Sequence, residues 1–330
     1  MSPKQILKMA SAAAVAVWAL AAALPAPAMA QSYPSKPISL IVPFPPGGVT
    51  DLVARALGEQ LSKNIGQPVI IENRPGAGTT LGANVVAKAA PDGYTLLLGV
   101  IHHTIASSVY KTLPYDFEDD FAPISTVATV GSALTVNPTA TPAKSLDELV
   151  ALAKNASNSL TYGSNGNGTL QHLIGTQFQI ATDTKLVHVP YKGSAPLTLA
   201  LLGGEVNMSF DSVPPVLEHI KQGKLRPLAV LGKARNPLLP DVPTFTELGY
   251  EGFEYDTWNG ILAPAGTPQA IQDRLSEEVL KVVRSPAFVK RMTDAGLVTL
   301  GSTQDEFKKK ISDETARLSA LAKRGNVIIE

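Results

Sequence analysis

Fourteen residues, Ile38 to Asp51 (ISLIVPFPPGGVTD), constrain the fold of this chain more than any other stretch. Ile38, Leu40, Ile41 and Val42 are too uniformly apolar to alternate between a wet and a dry face, which suits a strand buried on both sides of a parallel sheet. Pro45, Pro46, Gly47 and Gly48 stop that run. Thr50 is then placed to cap a helix whose apolar stripe is Leu52, Val53, Ala56, Leu57 and Leu61. Such a strand, turn and helix start leaves the first N–H groups of the helix unpaired at the sheet edge, where they attract an anion.

The same unit recurs along the chain. VIIEN (Val69 to Asn73) and YTLLLGV (Tyr94 to Val100) predict two more strands, linked by helical crossovers, so the fold class is α/β with a doubly wound parallel sheet whose ligands sit outside the carboxyl ends of the strands. LTYGS at Leu160 to Ser164, VHVPY at Val187 to Tyr191, VNMSFD at Val206 to Asp211 and LRPLAVL at Leu225 to Leu231 predict a second round. FEYDTWNGILAPAGTP reads as a strand returning to the first. Two capping boxes, Ser145 with Glu148 and Thr303 with Glu306, mark helix starts. With crossings near residues 131 and 252, the expected division is a presequence at 1–30, a discontinuous first domain at 31–130 plus 252–330, and a second domain at 131–251. The cleft between two such domains is the natural ligand site.

Residues 1–30 carry Lys4 and Lys8, an apolar run of 15 residues from Ala10 to Leu24, and Ala28-Met29-Ala30. That is the pattern of a cleaved secretory signal peptide, too short for a bilayer span of about 20 residues. The expected location is the periplasm. The full chain has 28 basic and 28 acidic residues; without the two presequence lysines, 26 basic residues face 28 acidic ones, a formal charge of −2. Nucleic acid is therefore not an expected partner. The absence of cysteine from the sequence excludes thiol catalysis and cysteine-ligated metals.

The glycine-rich turns PPGGVTD (45–51) and GSNGNGT (163–169) each follow a predicted strand and open a helix, so each offers backbone donors to an anion. Facing each other, they form a carboxylate clamp. A helix terminus contributes up to about 2 kcal/mol to a partly buried anion and charge-assisted hydrogen bonds about 1.5–3 kcal/mol each, so a few donors approach the roughly 8 kcal/mol of micromolar binding. The expected ligand-binding residues are Phe44, Pro46, Gly47, Gly48, Thr50 and Asp51 on the first turn. Ser164, Asn165, Asn167, Gly168, Thr169 and His172 belong to the second, Tyr191, Lys192 and Ser194 to a third strand-to-helix turn, and His102 and Asp211 to strand ends. Asp51 is more simply explained by its place at a helix start, whereas Asp211 ends a strand and could meet a ligand amine or hydroxyl. His102 and His103 are adjacent and poor joint metal ligands. No metal, cofactor or catalytic residue is expected: H-E-x-x-H, G-x-x-x-x-G-K-[ST] and G-x-S-x-G are all absent. Gly76-Ala77-Gly78 with Gly82 misses the dinucleotide fingerprint by one residue. A triad of Ser164, His172 and Asp211 can be written down, but only residue type supports it.

With YPSKPISLIVPFPPGGVTDLVAR, ENRPGAG, PDGYTLLLG, LPYDFEDDFAPI, YGSNGNGTLQHL, VPYKGSAPL, LLGGEVNMSFDSVP, LPDVPTFTELG and LAPAGTP in this order, the chain resembles the Bug family, the periplasmic solute-binding proteins of tripartite tricarboxylate transporters. The resemblance implies two doubly wound domains in a type II periplasmic-binding-protein (Venus-flytrap) fold. It implies closure on a carboxylate held by Pro46 to Asp51 and Gly163 to Thr169, with Tyr191 to Ser194 lining the pocket. Ser107 and Thr176 depart from residues common in the family and are expected in the distal part of the pocket. The function so implied is capture of a small organic carboxylate (a di- or tricarboxylate, an aromatic acid or an acidic amino acid) and its delivery, by a monomer, to the membrane components of the transporter. The alternatives are an exported serine hydrolase using Ser164 and a ligand-dependent sensor for a signalling receptor.

Overall fold

The computed structural model describes residues 33–155, 159–255 and 257–329. The expected signal peptide lies outside them. The strands are β1 (Ile38–Val42), β2 (Val69–Asn73), β3 (Thr95–Val100), β4 (Phe121–Val130), β5 (Ser132–Val136), β6 (Leu160–Ser164), β7 (Leu186–Pro190), β8 (Met208–Ser212), β9 (Arg226–Leu231), β10 (Thr257–Pro264) and β11 (Leu297–Thr299). The helices are α1 (Val49–Ile65), α2 (Thr80–Ala87), α3 (His103–Val109), α4 (Leu146–Asn155), α5 (Leu170–Thr182), α6 (Ser194–Gly203), α7 (Val213–Lys221), α8 (Gln269–Val283), α9 (Pro286–Asp294) and α10 (Gln304–Arg324).

Two sheets result, a six-stranded one in the order β11-β4-β10-β3-β1-β2 and a five-stranded one in the order β7-β6-β8-β5-β9. β1 pairs in parallel with both β2 and β3, and its apolar residues are buried on both faces, as a continuous apolar run requires. The sheets are not parallel throughout. β10 runs antiparallel to β3 and β4, and β5 antiparallel to β8 and β9. These antiparallel strands make the crossings: β4 passes through Gly131 directly into β5 of the other sheet, and β10 returns to the first. The short edge strand β11, only three residues, has no sequence signal of its own.

Local chemistry explains the element ends. α1 stops where Gly66 adopts a left-handed conformation, and the capping box of Thr303 and Glu306 opens α10 with both of its bonds made. At α4 the box is modified: Glu148 N–H donates to Ser145 Oγ (3.1 Å), but the Glu148 carboxylate accepts from Lys144 N–H (2.7 Å) instead of Ser145. Thr50 does not cap α1. The N-cap is Gly48, extended and without a side-chain bond, which places Thr50 inside the first turn.

Along β10 the side chains alternate across the sheet. Trp258 packs edge-on against Phe307 of α10 at 5.1 Å, while Thr257 and Asn259 face the opposite side, where a cleft opens. No helix among the described residues is long and apolar enough to cross a membrane.

Candidate functional site

The first turn is held open by a carboxylate. Asp51 is buried and accepts hydrogen bonds from Gly47 N–H (3.0 Å), Arg55 Nε (2.9 Å), Arg55 Nη2 (3.0 Å) and Asn73 Nδ2 (2.9 Å). Asn73 Nδ2 also donates to Phe44 O (3.0 Å), tying the end of β2 to the turn. Burial alone would raise the Asp51 carboxyl, but bonds from Arg55, Gly47 and Asn73 more than offset it and hold the group below the ordinary aspartate value. Within α1 the first main-chain bond is Leu52 N–H to Gly48 O (3.0 Å). The N–H groups of Gly48, Val49, Thr50 and Asp51 therefore have no acceptor inside the helix. Asp51 is thus a brace that shapes the turn and leaves its donors to something else.

Those donors border a cavity of about 110 Å³, room for several waters at roughly 10–15 Å³ each by the same measure. Phe44, Pro45, Pro46, Gly48, Val49 and Thr50 form one wall. The facing wall is Lys192, Gly193, Ser194, Ala195 and Pro196, the N-terminus of α6. Pro196 in that first turn removes a donor that would have lacked a helical partner anyway. Gly193 has φ 102° and ψ 177°, a conformation essentially reserved for glycine, and a β-carbon there would sit 3.9 Å from Pro45 Cδ. The two lips therefore meet across the cleft.

Between the lips the lining comes from both sheets: Val100, His102, Val130, Thr257 and Asn259 from the first, Asn165, Gln171 and Ser212 from the second. His102 Nε2 lies 3.2 Å from Gln171 Oε1, a direct bond from the β3 end to the first turn of α5. Its ring stands edge-on to Phe44 at 5.5 Å. Burial pulls the His102 pKa down to about 4, so it is neutral at pH 7. Asn165 Nδ2 donates to Ser194 Oγ (3.1 Å) and to Asp211 Oδ1 (3.2 Å). Asp211 is buried directly behind these two, and burial raises its pKa against the hydrogen bonds it accepts from Ser212 N–H, Asn165 and Ser194.

The second glycine-rich turn is built differently. Ser164 is fully buried; its hydroxyl meets His188 Nε2 (2.6 Å) and Gly166 N–H and O (3.2 and 3.0 Å). The His188 ring stacks on His172 with centroids 3.9 Å apart, and His172 Nδ1 accepts from Gly168 N–H (3.3 Å). Burial lowers these histidines to pKa values of about 3 and about 4. Thr169 Oγ1 donates to Gly166 O (2.7 Å). Ser164, Gly168, Thr169 and His172 thus stabilise the turn from within and do not line the cavity. Gly166, Asn167 and Tyr191 border an adjoining hollow with Gly76 to Thr79 and Tyr110, where Tyr110 OH donates to Asn167 O (3.4 Å).

Of the residues expected at the site, Phe44, Pro46, Gly48, Thr50, His102, Asn165, Lys192 and Ser194 line the cavity, while Gly47, Asp51 and Asp211 support it from behind. The written-down triad is not assembled, because Ser164 pairs with His188 and Asp211 with Asn165, Ser194 and Ser212. Ser107 is exposed on α3 and Thr176 Oγ1 bonds back to His172 O (3.0 Å), so neither reaches the cavity. Gln171, Ser212, Thr257 and Asn259 were not expected. The polar pair Thr257 and Asn259, two apart in an otherwise apolar strand, is the signal that marks a one-sided polar face. No cluster of three or more histidine, aspartate or glutamate side chains suited to a metal ion occurs among the described residues.

Two mixed sheets with a cleft at the ends of their strands match the architecture of solved periplasmic binding proteins. Residues 53–327 match the model of the tripartite tricarboxylate transporter family receptor, and the chain belongs to that family. It is 38% identical to BugT of Bordetella pertussis over 94% of this chain and 96% of BugT. The solved periplasmic binding protein BugD superposes with a TM-score of 0.84 at 34% identity, over 90% of this chain and all of BugD. An R. palustris protein solved with adipate gives 0.84 at 33% identity, over 89% of this chain and 98% of the other. Such proteins bind solutes and are not enzymes.

Proposed function

We propose that this chain captures a small organic carboxylate between residues 33–130 plus 252–329 on one side and 131–251 on the other, and hands it to the membrane components of a tripartite transporter. The observation that carries this reading is the meeting of two helix N-termini, α1 and α6, across one cavity, with no cationic side chain buried between them. Lys192 is exposed at the lip, so charge recognition falls to oriented main-chain donors. Donors of that kind grip one carboxylate of many molecules, which suits di- and tricarboxylates, aromatic acids and acidic amino acids alike. The related protein solved with adipate supports a dicarboxylate. Export through a cleaved presequence and action as a monomer complete the proposal.

Titration calorimetry of the purified protein against such acids tests it. The expected result is saturable one-to-one binding without turnover, and at 100 times the dissociation constant the fold gains about 2.7 kcal/mol. Absence of binding across the whole set overturns the reading.

A further inference from the structure

The stretch that follows α10 is built into the molecule. Val327 N–H donates to Ala322 O (3.0 Å), which turns the chain back and buries the Val327 side chain. Ile329 then runs beside the end of α3: its N–H donates to Val109 O (2.6 Å) and its carbonyl accepts from Lys111 N–H (3.2 Å). Ser108 Oγ of α3 and Ser319 Oγ of α10 are bonded as well. The two helices and the tail thus form one body packed on the first sheet.

That body bears on the other half of the molecule at two places. Ile329 Cδ1, Tyr110 Cε2 and Val109 Cγ2 stand 2.8, 3.2 and 3.2 Å from where a β-carbon on Gly168 would lie, so they already fill the space of a side chain there. Tyr110 OH donates to the neighbouring Asn167 O (3.4 Å). Farther along, a β-carbon on Gly325 would overlap Thr176 Cγ2. Gly168 belongs to the second glycine-rich turn and Thr176 to α5, the helix which that turn opens; this segment carries Asn165 and Gln171 into the cavity. Val109, Tyr110 and Ile329 do not line the cavity themselves.

A contact that exists only while the two halves lie together favours that arrangement. A solute that needs both halves then binds more tightly in proportion to the population of that arrangement. Parting the halves would bare Ile329 and the Tyr110 ring to water, which the hydrophobic effect opposes.

We propose that the tail from Gly325 to Ile329 is a strap that positions the second turn and α5, and so sets solute affinity without touching the solute. Ile329, with Tyr110 beside it, is the positioning residue. The inference rests on the solute-binding reading only for its effect on affinity, because the strap acts on the two halves in the empty protein.

The sequence has no cysteine, so Lys88→Cys and Lys185→Cys, at exposed positions in either half, can carry spin labels whose separation reports closure. The labelled protein is compared with its Ile329→Asp, Gly325→Ala and Gly325→Ala/Thr176→Ser variants. Gly325 has φ −85° and ψ 0°, which alanine adopts freely, so the added methyl acts only as a wedge against Thr176 Cγ2. Thr176→Ser removes that Cγ2 and keeps the hydroxyl that bonds His172 O. Both single variants are expected to lengthen the separation in the empty protein. They are also expected to weaken, by about tenfold, the tightest-binding acid among succinate, adipate, benzoate and glutamate. Thr176→Ser in the Gly325→Ala background is expected to restore both. A tail that only stabilises its own half would lower the unfolding temperature and leave the separation unchanged, and that result overturns the inference. Weaker binding at an unchanged separation overturns it too. If no acid binds the unmodified protein, the carrier reading fails while the separation still decides the strap. Should Ile329→Asp not fold, the Gly325 wedge and its rescue decide alone.

Discussion

The two glycine-rich turns look alike in sequence and do different work. PPGGVTD is held by its own buried Asp51 carboxylate, which Arg55 and Asn73 brace, and its helix-end donors border the cavity. GSNGNGT is held by its own Ser164 and Thr169 and by the stacked His172 and His188 that lie beyond it in the chain, and sends only Asn165 into the same cavity. The wall opposite the first turn is instead the Lys192 to Pro196 turn. A strand, a glycine-rich turn and a helix start therefore mark where an anion can bind; the side chains that consume or spare the donors decide whether one does.

The largest difference between the turns is their response to acid. His172 and His188 have folded pKa values of about 4 and about 3 against an ordinary 6.5. Between those limits the unfolded chain binds more protons, so their contribution is present above pH 6.5 and is lost as the pH falls toward 4, on the order of a few kcal/mol. The Asp51 carboxyl lies below its ordinary 3.8, so its contribution is present above that value and is lost only as the pH drops through the lower folded value. Once the intrinsic pH dependence of amide exchange is divided out, the protection of Gly166 and Gly168 should be lower at pH 4.5 than at pH 7, while that of Gly47 stays unchanged. Equal loosening of both turns would erase the distinction.

Next in size is Asp51→Ala, which leaves Gly47 N–H without its acceptor, Asn73 Nδ2 with only Phe44 O, and the Arg55 guanidinium without its carboxylate. Urea unfolding is expected to show a loss of about 3 kcal/mol, together with weaker ligand binding. Gly193→Ala comes third, because the glycine-only conformation costs another residue about 1–3 kcal/mol. Here the loss is expected in affinity and in closure against Pro45, read by small-angle scattering with ligand. The smallest effect belongs to Lys192→Ala, an exposed cation worth at most about 1 kcal/mol. A few-fold weakening that vanishes at high salt is expected from calorimetry; a hundredfold loss would make this lysine, and not the helix ends, the charge reader.

The first turn was legible because β1 and α1 announce themselves by unbroken apolar burial and a 3.6-residue stripe, both properties of one local segment. The Thr303 capping box was legible for the same reason. Gln171, Ser212, Thr257 and Asn259 were not, because their importance arises only when strands far apart in the chain are placed beside one another. His188 was missed although it lies within a predicted strand: its partners Ser164 and His172 reach it through the parallel pairing of β6 with β7, which periodicity does not encode. Asp51 was expected among the ligand-binding residues and also as an acid at a helix start; its bonds to Arg55 and Asn73 required the fold.

The division of labour between the turns is tested most directly by a crystal structure of the protein with a bound carboxylate. The expected density places a carboxylate oxygen within about 3 Å of the N–H groups of Gly48 to Thr50, facing Ser194 and Ala195, with Ser164 still bonded to His188. A carboxylate seated instead on the N–H groups of Gly166 to Thr169, with the histidine stack displaced, would contradict it.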